Sequence, residues 1–136
     1  MATFPKKERL CSKHTIQQLF QSKNRFIVYP LSIHWIETEP ATPYIPLQVL
    51  FVAPKRKLRH AVDRNRVKRL MRECYRARKQ ELIDTLQTRH RSIALAINYL
   101  HDAPYNFHKM EYSFDKMTAV LLSQITGASN LQQDNT

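Results

Sequence analysis

From about His60 to Gln87 the chain contains neither proline nor glycine and is rich in good helix formers, so one long helix is predicted there. At about 100° per residue, Val67, Leu70, Met71, Cys74 and Ala77 fall on one stripe, which needs a core to cover it. Opposite lie Arg64, Lys68, Arg72, Arg76 and Lys79, with Asn65 and Arg69 beside them and Arg66 near one edge of the stripe. Packing the apolar side therefore presents the basic side to solvent. Residues 54–79 hold twelve basic side chains against Asp63 and Glu73, a net +10 of the chain's +11. Solvated helices normally mix signs along a face, and like charges four residues apart repel. A bound polyanion removes that repulsion. The helix carries six arginines to two lysines, a bias toward the planar fork that suits phosphates and base edges.

A core for that stripe is legible on either side of the helix. Ser12 is placed to cap a first helix that carries Ile16, Leu19 and Phe20 on one face and ends near Lys23. Residues 26–36 read as one or two strands broken at Pro30, and residues 37–46, with Pro40, Pro43 and Pro46, as a loop. Leu47 to Ala53 is an apolar run of strand length, expected to be an inner strand and closed by Pro54. Ser92 to Ile97 gives another strand. Met110, Phe114, Met117 and Leu121 recur at steps of four, three and four, marking a last helix that Gly127 terminates. The expected fold class is α+β, a single domain with a mixed β-sheet packed with helices in the order α-β-β-β-α-β-α. At 136 residues and 43% hydrophobic the chain suits one domain, with an ordered core over about 8–126 and ends, roughly 1–8 and 127–136, that fray.

Several classes of function are disfavoured. No stretch is apolar enough to span a membrane and no signal peptide opens the chain, so a cytoplasmic location without membrane attachment is expected. Cys11 and Cys74 form no CxxC or His-Cys cluster and are expected to be reduced, small buried hydrophobes, with no metal site. His14, His34, His60, His90, His101 and His108 show no paired-ligand or triad spacing, and the carboxylates are scattered, where a metal-dependent nuclease needs them clustered. No catalytic residue is expected on the chain. With one glycine there is no phosphate-cradling loop.

The segment Arg64-Asn65-Arg66-Val67-Lys68-Arg69-Leu70-Met71-Arg72-Glu73 resembles the signature of the bacterial ribonuclease P protein family, Arg-Asn-Arg-x-Lys-Arg-x-x-Arg-Glu. Ala61-Val62 upstream, the basic turn Lys55-Arg56-Lys57 after an apolar strand, and Lys7-Glu8-Arg9-Leu10 followed by Ile16 and Phe20 are similar to the family's pattern, over most of residues 6–125. The resemblance implies a fold like ribosomal S5 domain 2, with a left-handed βαβ crossover at the long helix, against the usual hand. It implies that Lys55, Arg56, Lys57, Arg64, Asn65, Arg66, Lys68, Arg69, Arg72 and Arg76 contact the catalytic RNA. It implies a cleft, here with Ile16, Phe20 and His34, for the single-stranded 5′ leader of precursor tRNA. Hydrolysis is then the work of the RNA with magnesium ions, and the protein alone binds no cofactor. Two positions depart from the pattern: Ile16 stands where the family usually has an aromatic, and Arg59 where it often has glycine, so leader stacking and the turn before the helix are expected to differ.

The charge pattern by itself also fits a structural RNA-binding protein of ribosomal or chaperone type with no processing role. A DNA-binding or membrane-surface module fits less well, because no helix-turn-helix is evident and the basic helix backs onto a core stripe.

Overall fold

In a computed structural model that describes residues 6–40 and 43–127, Ser12 caps the first helix, α1 (Lys13–Gln21), its hydroxyl oxygen accepting from the Thr15 amide at 3.3 Å. The chain then turns into a hairpin, β1 (Arg25–Val28) and β2 (Leu31–Thr38), joined at Tyr29-Pro30, where proline interrupts the strand as expected. β2 runs two residues further than its prolines suggested, because Glu37 and Thr38 still pair with Ile93 and Ser92 of β4 (Ser92–Tyr99). Between them come β3 (Leu47–Val52) and the long helix α2 (Ala61–Thr88). Last is α3 (Phe107–Thr126), capped by the Asn106 side chain and closed by Gly127, whose φ of 79° is the left-handed cap that glycine adopts most easily.

The four strands lie in the order β1-β2-β4-β3, antiparallel except for the β3·β4 pair. Parallel neighbours need a crossover, and α2 supplies it. β3 is thus an edge strand, against the expectation of an inner one. The apolar run misled because its outer edge is covered by other means. The N-terminal segment lies along it, with Arg9 bridging to Val49 and the Leu10 amide donating to the Val49 carbonyl at 3.0 Å. The strand buried on both faces is β4.

One face of the sheet, through Ile33, Trp35, Val49, Leu95 and Ile97, meets Val67, Met71, Leu82 and Leu86 of α2 and Phe114, Met117 and Leu121 of α3. Burying each such side chain contributes about 1.5–3 kcal/mol, so this layer dominates the stability. The opposite face carries a smaller cluster, in which Leu10 and Leu19 pack on Ala94 and Ala96 with Ile16, Ile36 and Leu50 alongside. The two clusters share one sheet, which makes the α+β unit a single domain.

Three expectations fail here. Ala77 is exposed and Tyr75 buried, because the buried side of α2 rotates along its length. Cys74 is buried, but Cys11 is exposed between the buried Leu10 and the cap at Ser12. Residues 6–8, expected to fray, form a 3-10 turn with Glu8 buried, while residues 1–5 and 128–136 of the expected tails lie outside the described residues. Among the described residues no helix is long and apolar enough to cross a membrane.

Candidate nucleic-acid interface

Leaving β3, the chain makes a tight turn in which the Lys57 and Leu58 amides both donate to the Pro54 carbonyl, at 3.1 and 3.0 Å. Leu58 is buried and anchors the turn, so Lys55, Arg56 and Lys57 are pushed outward. Arg64, one turn into α2, reaches back: its Nη1 donates to the Leu58 carbonyl at 2.8 Å and the Arg59 carbonyl at 2.9 Å. That fork fixes the basic turn against the start of the helix. Arg64 is therefore partly spent inside the fold, whereas Asn65, Arg66, Arg69 and Arg72 are exposed and Lys68 is half-exposed.

The acids near these cations are few, and the fold employs its other carboxylates elsewhere. Arg76 pairs with Glu73 on its own helix. Arg78 bridges to Glu111 at 3.3 Å and Asp115 at 2.6 Å, tying α2 to α3. Lys79, expected on the solvent side, is buried, its ammonium 2.9 Å from Glu8, because the N-terminal turn docks on that flank. What remains is a set of unpaired cations on the turn and on the first half of the helix. Lys55, Arg56, Lys57, Arg59, Arg66, Lys68, Arg69 and Arg72 make no ion pair among the described residues. A surface that concentrates like charge without internal neutralisation attracts and orients a polyanion.

The sheet face opposite α2 is only partly covered. α1 lies across one half of it, with Ile16 half-buried against the small cluster and Leu19 fully buried. Phe20, on the same helix, is 42% exposed and sits edge-on to His34 of β2, ring centroids 5.0 Å apart. Beyond it an open pocket of about 450 Å³ is lined by Arg25, Phe26, Ile27, Ser32 and His34. His34 is buried, and its Nδ1 has no hydrogen-bond partner among the described residues. Burial, and then the Arg25 guanidinium, hold the His34 imidazole below its ordinary value, so it is neutral near pH 7. Of the three residues expected to form a cleft, Phe20 and His34 are in contact and His34 lines the pocket, whereas Ile16 packs against the smaller core cluster. Arg25, Ile27 and Ser32 escaped the sequence reading. The alternation of Arg25 and Ile27 with Phe26 on β1 is the signal that would have found the first two, and Ser32 is placed opposite Ile27 by strand pairing.

The cleft and the basic turn are linked by the sheet. Ser32, Asn98 and Val52 stand in register across β2, β4 and β3, at the strand ends nearest the turn, and Lys55 follows Val52 by three residues. Among the described residues no group of three or more His, Cys, Asp or Glu side chains is placed to hold a metal ion.

Comparison with known proteins finds a matching family. The ribonuclease P family model matches residues 4–118. A ribonuclease P protein component from Porphyromonas gingivalis is 36% identical over 118 residues, covering 85% of either chain. One from Chlorobaculum tepidum is 38% identical over 84 residues, 60% of this chain and 54% of the relative. One from Chlorobium phaeobacteroides is 61% identical over 36 residues, 26% of this chain and 25% of the relative.

Proposed function

The chain belongs to the ribonuclease P protein family, and on that footing we propose that it is the RNA-binding subunit of a cytoplasmic ribonuclease P, gripping the catalytic RNA and the 5′ leader of precursor tRNA while the leader is removed. The observation that carries this reading is the uncompensated cationic surface running from Lys55 through Arg72. Arg66, Lys68, Arg69 and Arg72 meet phosphates of the catalytic RNA, and Lys55, Arg56 and Lys57 extend the contact along the turn. Arg64 holds the turn in place, Asn65 adds an amide beside the arginines, and Arg76 joins the contact where Glu73 releases it. Releasing the counterions condensed on the RNA makes such binding strong at low salt and steeply weaker as salt rises.

The leader lies in the cleft, where Phe20 and Ile27 offer apolar faces to unpaired bases and Arg25 a guanidinium to the backbone. His34, neutral and holding an unused ring nitrogen, faces the bases, and Ile16 supports Phe20 from the core side. The reacting groups belong to the catalytic RNA with its magnesium ions. In keeping with that division, Glu8, Glu37, Glu73, Glu111 and Asp115 are engaged in ion pairs within the protein.

The test is reconstitution with a ribonuclease P RNA, following cleavage of precursor tRNA at low magnesium concentration. Stimulation of leader removal is the expected result. Binding to the RNA without any stimulation would leave a structural RNA-binding protein and defeat the processing role.

A further inference from the structure

The large apolar side chains that this fold leaves exposed are not scattered. Phe20, Ile27, Tyr29, Phe107 and Tyr112 are five of the six found among the described residues, and Val62 is the other. Four of them form a track. Phe20 and Ile27 border the cleft, Tyr29 follows Ile27 by two residues at the β1–β2 turn, and Tyr112 stands across from Tyr29 on α3. Tyr29, Tyr105, Lys109 and Tyr112 border an open cavity of about 440 Å³ between the turn and the helix.

This second surface is held in place from within. The Ser113 hydroxyl donates to the Tyr29 carbonyl at 3.2 Å, and the Tyr29 hydroxyl lies 3.0 Å from Nδ1 of His101. His101 and Tyr105 meet edge to face, centroids 5.2 Å apart. Two ammonium groups stand over the rings: Lys109 Nζ is 5.6 Å from the centre of Tyr105, and Lys116 Nζ is 4.6 Å from the centre of Tyr112. Of the neighbouring acids, Asp115 pairs with Arg78, Glu111 pairs with Arg78 and lies 3.9 Å from His108, and Asp102 stands beside His101. Neither Lys109 nor Lys116 makes an ion pair among the described residues. Aromatic faces flanked by unneutralised ammonium groups match unpaired nucleotides, whose bases stack while their phosphates meet the cations. A duplex hides its base faces and gains nothing from such a surface.

The sheet order gives this surface a place on the path. The basic turn leaves from β3 at one edge, and β1 forms the other edge, with α3 packed beneath β1 and β2. A leader that enters beside the turn and crosses the open face leaves the sheet at Ile27 and Tyr29. We propose that Tyr29, Tyr105 and Tyr112, with Lys109 and Lys116, form a second stacking platform that takes the leader nucleotides farthest from the cleavage site. This inference rests on the leader lying in the cleft. It makes the grip on precursor tRNA depend on leader length beyond what the cleft itself holds.

The experiment measures holoenzyme affinity for precursor tRNAs with leaders of about four and about twelve nucleotides, spanning the usual single-strand site sizes, and for mature tRNA. Tyr29→Ala and Tyr112→Ala are each expected to lower affinity for the long leader about five- to tenfold, the scale of one lost stacking contact, and to leave the short leader at wild-type affinity. Tyr112→Phe keeps the ring and should bind the long leader as the wild type does. Equal losses on both leaders, or no loss on the long one, overturn the platform. Wild-type affinity for the short leader in either variant also shows that the fold is intact. The underlying cleft assignment fails separately: the wild-type holoenzyme would then bind the short-leader precursor no better than mature tRNA.

Discussion

Arg64 is the residue at which a phosphate contact and a structural contact make different forecasts. Its Nη1 donates to two main-chain carbonyls, Leu58 at 2.8 Å, partly buried, and Arg59 at 2.9 Å, exposed. Hydrogen bonds from a charged donor contribute about 1.5–3 kcal/mol each in protected settings, and the exposure of one acceptor brings the pair to about 1–2 kcal/mol here. For a chain of this size each kcal/mol moves the melting temperature by about 3–5 °C, so Arg64→Ala should melt about 3–10 °C below the wild type. The basic turn loses its tie as well. The log–log salt slope of RNA binding should therefore fall by more than the roughly 0.7–0.9 that one phosphate contact contributes, because Lys55, Arg56 and Lys57 are no longer held in register with the helix. Arg69→Ala is the control, since Arg69 is exposed and has no partner among the described residues. It should keep its stability within about 0.5 kcal/mol and lose a single increment of slope. Arg64→Lys retains the charge but not the planar fork, so it should recover slope better than stability. Thermal melting with filter-binding titrations over a salt series measures both quantities. An Arg64→Ala variant that melts with the wild type and loses one slope increment, as Arg69→Ala does, would refute the staple and return Arg64 to the phosphate ligands.

Other expectations follow from the same structure. Phe20→Ala should weaken holoenzyme binding to precursor tRNA by about 1–3 kcal/mol while sparing mature tRNA, whereas Leu19→Ala, one residue away but fully buried, should cost about 2–5 kcal/mol of folding stability; equal losses on both RNAs for Phe20→Ala would place that ring in the core. In native protein one thiol should react with a maleimide, because Cys11 is exposed while Cys74 is buried with its pKa pushed up to about 11, chiefly by desolvation; rapid labelling of both would contradict the packing of α2. Stability should decline as pH falls below about 6.5. Burial and then Arg25 depress the folded pKa of His34, so the unfolded chain takes up the proton first and the neutral form's contribution, full above 6.5, is lost toward the lower folded pKa. His34→Gln should flatten that slope in chemical denaturation at pH 5 to 7, and an unchanged slope would assign it to other groups.

The order of elements was legible because proline, glycine and capping residues punctuate this chain sparingly. Ser12, Pro30 and Gly127 each stand at a boundary that the backbone respects. The long helix was legible as a helix, but only half legible in its facing. A single stripe drawn through Val67, Met71 and Cys74 describes its first half. Leu82 and Leu86 are buried too, and at about 100° per residue Leu86 is turned about 100° from Val67. Over 28 residues the side facing the core drifts, which brings Tyr75 and Lys79 under cover and turns Ala77 out. No window of local sequence contains that drift, because it is set by what docks on the helix, here the turn at Lys6–Glu8 and α3. The same holds for Arg78, whose partners lie 33 and 37 residues away. The cleft was legible only through its resemblance to a family, since Phe20 and His34 are brought together by the sheet.

Charge on α2 is sorted by neighbourhood more than by residue type. Its second half runs beside acids from other parts of the chain, Glu8 on one flank and Glu111 with Asp115 on the other, and there Arg78 and Lys79 become fasteners of the fold. Its first half rises from the basic turn with Asp63 and Glu73 as its only acidic residues, and Glu73 pairs with Arg76. A single rigid helix thus ends in an anchor and begins in a display. The cost of gathering like charges at the display end is mutual repulsion in the free protein, which the anchoring end must outweigh. Repulsion of that kind is screened by salt and removed by a bound polyanion, whereas the half-buried Arg78 clamp is screened far less. Salt should therefore stabilise the free protein while weakening its hold on RNA, two opposite responses that arise from one helix.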